Sequence, residues 1–182
     1  MTNLEIINLL QRMTGILALG LITLQIYLGA NQKKIAFHKI NGILAYTFVF
    51  LHPLLLVGYD YLVFGRFDPF YVFVDVCVLC DGLRESLMNL GRIAFYLITL
   101  AVIAIKFREF SSWLKTNWRK LHVLNYLAFY FVSVHAINLG TDSKSLWFIV
   151  YFVMCQIVVL TSIVRRLKTL NFVAKLKNKW GL

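Results

Sequence analysis

Four histidines, His38, His52, His122 and His135, carry most of the chemistry open to this 182-residue sequence. They lie two by two in separate apolar stretches, and the intervals 38–52 and 122–135 are nearly equal. At ~1.5 Å of rise per helical residue these intervals are roughly 21 and 20 Å. Two helices running the same way would therefore set His38 level with His122 and His52 level with His135. Neutral imidazole is an ordinary axial ligand of haem iron, and a planar macrocycle between two helices needs one on each side. Ionisable side chains within a bilayer are costly and tend to be functional. The spacing thus predicts two b-type haems, one above the other; the competing reading is that the imidazoles only hydrogen-bond helices together. The angular fit is uneven. At ~100° per residue, the first interval returns to within about 40° of the same face, whereas the second, shorter by one, leaves its outer ring about 140° away. The stretch with His122 and His135 is expected to need a distortion or a different approach angle, and Pro53, directly after His52, is expected to kink its own helix.

The elements that position these residues follow from composition. A chain with 60% hydrophobic residues, 15% charged residues and a mean hydropathy of +0.73 belongs in lipid. Long apolar runs separated by short polar segments predict an all-α, polytopic transmembrane bundle. Five segments reach the ~20 residues that a span needs, at about 7–29, 37–63, 89–106, 121–139 and 146–164. The run 69–80 is short and contains Asp75, so it is expected to be interfacial or re-entrant, with insertion as a sixth span the alternative. The haems would lie between spans 2 and 4. The start, MTNLEIINLLQR, lacks the pattern of a cleaved leader, so the first span is expected to be retained.

Positive residues stay on the cytoplasmic side, and they cluster consistently. Lys33, Lys34 and Lys39 follow span 1. Lys106, Arg108, Lys115, Arg119 and Lys120 lie between spans 3 and 4, and Arg165, Arg166 and Lys168 follow span 5. Asp60, Asp68, Asp81, Glu85 and Asp142 enrich the opposite connections. The N-terminus is expected outside and the C-terminus in the cytoplasm of a bacterial-type cell membrane. The net charge of +11 thus sits beside spans, and nucleic acid is not an expected partner. The tail 166–182, basic with apolar residues interspersed, is expected on anionic lipid.

The stretches FHKINGILAYTFVFLHPLLL (37–56), LGRIAFYLITLAVIAI (90–105) and WRKLHVLNYLAFYFVSVH (118–135) resemble the ferric reductase-like transmembrane domain. That superfamily includes ferric reductases, NADPH oxidases and the haem-binding membrane subunit of the methionine sulfoxide reductase system. The W-R-x-L-H-x-x-x-Y run is the most specific signature, and the resemblance covers roughly residues 5–165. It implies His38 and His122 as inner-haem ligands and His52 and His135 as outer-haem ligands. It also implies a place for Arg12 near the outer haem, although an arginine snorkelling to the interface would look the same. Lys39, Arg92 and Arg119 are candidate partners of haem propionates, or else flanking anchors.

The oxidases continue into flavin and nicotinamide domains, whereas no glycine-rich dinucleotide fingerprint occurs in these 182 residues. FAD and NAD(P)H are not expected here. The donor would be a separate cytoplasmic flavoprotein or membrane quinol. The acceptor would be ferric iron, dioxygen or an extracytoplasmic partner protein. The resulting expectation is a transmembrane electron-transfer oxidoreductase with two haems b; the alternative is a haem-free scaffold or transporter subunit. Without C-x-x-C-H the haem would be held non-covalently. Cys77 and Cys80 allow an outer-side disulfide but suit apolar filler better, and Cys155 is expected to be packing. Tyr46, Phe50, Tyr126, Phe129, Tyr130 and Phe131 are read as core aromatics that could face a cofactor.

Overall fold

The computed structural model describes residues 2–31, 35–74 and 82–180, with backbone alone over 170–180. Lys33, Lys34, Asp75, Cys77, Cys80 and Asp81 fall outside them, as does the second half of the run 69–80. The described residues form seven helices and no strand: α1 (Asn3–Asn31), α2 (Ile35–Phe64), α3 (Pro69–Phe73), α4 (Leu83–Lys106), α5 (Ser112–His122), α6 (Leu124–Leu139) and α7 (Leu146–Trp180). Four helical segments, α1, α2, α4 and Leu146–Thr169 of α7, are long and apolar enough to cross a membrane, which marks an integral membrane protein. Large apolar side chains face outward along them, among them Ile43, Leu100 and Leu160. Such a surface suits lipid.

Local sequence sets the helix ends. Thr2 and Glu5 form a reciprocal capping box at the start of α1, with Glu5 N–H donating to Thr2 Oγ1 at 3.3 Å and Thr2 N–H to Glu5 Oε2 at 2.8 Å. Helix α2 stops where Gly65 takes φ +69°, a left-handed conformation open to glycine, and its N–H donates to Tyr61 O at 2.9 Å. Asp68 caps α3, accepting from Tyr71 N–H at 3.0 Å with Pro69 in the first turn. The basic end of the chain continues α7 without a break through position 165.

Helix α1 packs against α2, α6 and α7, while α4 packs against α6. The core joins Leu19, Ile22 and Ile26 of α1 to Val49 of α2, Ala94 and Ile98 of α4, Ala128 and Phe129 of α6, and Cys155 and Val159 of α7. Ala94, Ala101, Ala104 and Ala128 are wholly or almost wholly buried; residues this small let helix backbones approach in lipid. Between α1 and α2 the contacts pair Gly15 with His52, Gln25 with Gly42 and Gly29 with His38. Residue numbers rise on one helix as they fall on the other, as an antiparallel register requires.

The stretch expected as one span at 121–139 is divided. Helix α5 ends at His122 and α6 begins at Leu124. Val123 N–H is shared between Arg119 O and Lys120 O at 3.2 Å each, and Tyr126 N–H donates to Val123 O at 3.0 Å. These i+3 bonds tighten the turn. The interruption falls between His122 and His135, the stretch in which the spacing called for a distortion or a different approach angle. Helix α6 alone, with 16 residues, rises about 24 Å, short of the ~30 Å hydrocarbon core.

Candidate functional site

His38, one turn into α2, and His122, the last residue of α5, come together across the fold with ring centroids 6.0 Å apart and planes at 81°. Two imidazoles bonded at about 2 Å to opposite sides of one metal stand roughly 6 Å apart, centroid to centroid. A polar relay fixes the His38 side: Asn41, buried, donates through Nδ2 to Leu21 O and to Gln25 Oε1, both at 2.9 Å. This turns Gln25 Nε2 toward His38 Nε2 at 3.1 Å. His38 Nδ1 is the one buried side-chain polar atom among the described residues that lacks a hydrogen-bond partner. His122 Nδ1 lies 3.1 Å from Asn125 Nδ2, and its ring rests against Trp118.

The other two histidines are held differently. His52 Nδ1 donates to Gln11 O of α1 at 2.9 Å, and His135 Nδ1 donates to Leu87 O of α4 at 2.9 Å. A backbone carbonyl only accepts, so in both rings Nδ1 carries the proton and Nε2 keeps its lone pair. A metal-binding imidazole needs this tautomer, with the second nitrogen tied back to an acceptor. The tautomer of His52 and His135 is the one an axial haem ligand needs, whereas His38 accepts from Gln25 through Nε2 and leaves its buried Nδ1 without a partner. Among the described residues no three His, Cys, Asp or Glu side chains gather, so the histidines stand as pairs.

The candidate cations are placed unequally. Arg12 forms a two-pronged ion pair with Asp142, with Nε 3.0 Å from Oδ2 and Nη2 bonded to Oδ1. Arg92 is buried, and its donors go to Val72 O at 3.2 Å, Tyr71 O at 2.7 Å and Asn89 Oδ1 at 2.7 Å. With the Tyr96 hydroxyl on Phe73 O, this fork satisfies the carbonyls that α3 leaves open at its C-terminus. Lys39 is exposed beside His38, and Arg119 is exposed with its guanidinium over the Trp118 ring at 5.4 Å. Of the aromatics, Phe129 is buried, Phe50 joins Phe73 and Phe95, Tyr46 reaches Thr99 at 3.3 Å, and Tyr130 is exposed. Cys155 is buried in the core.

Two features escape a sequence reading centred on the histidines. Three of the imidazoles sit against glycines of a neighbouring helix: His52 on Gly15, His38 on Gly29 and His135 on Gly91. The available signal was that the interval from Gly15 to Gly29 equals that from His38 to His52. The second feature is a cavity of about 510 Å³ whose lining includes Leu56, Asp60, Arg66, Asp68, Tyr71 and Arg84. Leu56 lies one helical turn beyond His52. No family model, curated protein or solved structure matches the chain.

Proposed function

We propose that this protein is a di-haem b-type membrane cytochrome that carries electrons across the bilayer from a cytoplasmic-side donor to an extracytoplasmic acceptor. The observation that carries this reading is the matched pair His52 and His135, each with Nδ1–H donated to a backbone carbonyl and Nε2 left as a ligand. The facing of His38 and His122 supports a second site at the other level. Haem, when bound, supplies a one-electron iron couple at each site. The chain's own residues hold the rings, set their separation and exclude water with an apolar shell.

In this reading α5 and α6 together make a fifth, broken span. The basic residues of α5 then face the cytoplasm, where a flavoprotein or quinol would deliver electrons near His38 and His122. The polar cavity beyond His52 lies on the acceptor side. The resemblance of 37–56, 90–105 and 118–135 to the ferric reductase-like domain supports the same direction of flow, with ferric iron, dioxygen or a partner protein as acceptor.

A haem-free scaffold is the second reading, favoured by one observation: the His52 and His135 bonds join α2 to α1 and α6 to α4, as helix-bridging histidines would. Reduced-minus-oxidised spectra with pyridine-haemochrome quantification separate the two. Two haems b per wild-type chain, falling to one in His52→Ala and one in His38→Ala, are expected. A colourless protein purified from haem-supplied cells would leave the scaffold.

A further inference from the structure

The glycine contacts repeat with one geometry. A Cβ at Gly15 would stand 2.8 Å from His52 Cε1 and 2.9 Å from its Nδ1; a Cβ at Gly91 would stand 2.9 Å from both atoms of His135. In each case the carbonyl that receives Nδ1–H belongs to the residue four positions before the glycine: Gln11 for Gly15 and Leu87 for Gly91. The spacing has a physical cause. The carbonyl of residue i−4 points along the helix toward residue i, and only a glycine at i leaves a planar ring room to lie over that carbonyl. Gly29 and His38 form a third, looser example, with the nearest approach at 3.3 Å. His38 Nδ1 makes no hydrogen bond to the matching carbonyl, that of Gln25.

We infer that Gly15 and Gly91 are positioning residues, each forming with the carbonyl four residues earlier a seat that fixes a histidine's Nδ1–H and presents its Nε2 lone pair; Gly29 forms a looser seat for His38. The inference rests on the cofactor reading for its purpose, but the seats themselves are a property of the chain. They assign a role to glycines on α1 and α4, helices that carry no histidine. They also separate the two levels: both histidines of one level are tied to backbone, whereas those of the other meet the amides of Gln25 and Asn125.

The test compares Gly15→Ala, Gly91→Ala and Gly29→Ala with Gly58→Ala in the full chain. Gly58 lies on the same α1–α2 interface, but a Cβ there meets the flexible tip of Ile7 at 2.8 Å and no histidine, so it controls for crowding. ¹⁵N-histidine spectra are expected to show the Nδ1–H tautomer for His52 and His135, lost for His52 in Gly15→Ala and for His135 in Gly91→Ala. Haem affinity at that level should fall about 10–100-fold, or its midpoint potential should shift, while Gly58→Ala keeps both haems and Gly29→Ala gives a smaller effect. Wild-type tautomers, spectra and potentials in Gly15→Ala and Gly91→Ala would overturn the inference, as would equal losses in Gly58→Ala. A wild type that takes up no haem sinks the functional reading alone, and the tautomers then decide the seats.

Discussion

Arg12 and Asp142, far apart in sequence, lock together through two parallel contacts, joining α1 to the turn between α6 and α7. The aspartate side chain is largely covered, while the arginine is more than a third exposed. The pair ties down the end of the bundle next to the His52–His135 level.

A double-mutant cycle on Arg12→Ala and Asp142→Ala is expected to give a coupling of about 1 kcal/mol, because a fork geometry strengthens an ion pair that solvent still screens. The measurement is detergent-solubilised unfolding. Both single variants should keep the full haem complement. Loss of haem in Arg12→Ala but not in Asp142→Ala would place Arg12 at the cofactor instead.

Arg92 separates charge from geometry. Its planar fork reaches Tyr71 O, Val72 O and Asn89 Oδ1 at once, which the single ammonium of lysine cannot do. Arg92→Lys should therefore cost roughly 2–3 kcal/mol of stability, nearly as much as Arg92→Gln, in a thermal or denaturant melt. Near-complete rescue by lysine would mean that the positive charge, as toward a propionate, is what matters.

Asn41 holds Gln25 and, through it, His38. Asn41→Leu should lower stability by only about 1 kcal/mol, since hydrogen bonds between spans are individually modest. Its larger effect should be on the haem of the His38–His122 level, seen as heterogeneous ligation by electron paramagnetic resonance. An unchanged signal would remove the relay from the site.

Orientation can be read with reporters. A fluorescent protein fused to the C-terminus should fold and fluoresce, and alkaline phosphatase at the same point should be inactive. Phosphatase inserted in the 140–145 turn should be active. The reverse pattern would invert the electron path.

The helical class and the approach of His38 to His122 were legible in the sequence, and for a physical reason. Bilayer thickness fixes how long an apolar run must be, and constant helical rise converts the two histidine intervals into height. His38 and His122 accordingly meet. The need for a distortion or a different approach angle in the stretch from His122 to His135 was also legible, because that interval does not return to one face of a regular helix. Its position at Val123 was not, since no proline or glycine marks it and the turn is tightened by bonds to Arg119 and Lys120.

Tertiary structure alone decided what each ring nitrogen touches. Gln11, Leu87, Gly15 and Gly91 bear on His52 and His135 through backbone atoms and missing side chains, which leave little trace in residue chemistry. Arg92 shows the same limit: its charge was visible in sequence, but its burial and the carbonyls that α3 leaves open, and that claim its guanidinium, exist only once the short helix has formed. Sequence sets height along a helix because rise is a property of the backbone. Azimuth and hydrogen-bond partner come from how neighbouring helices pack.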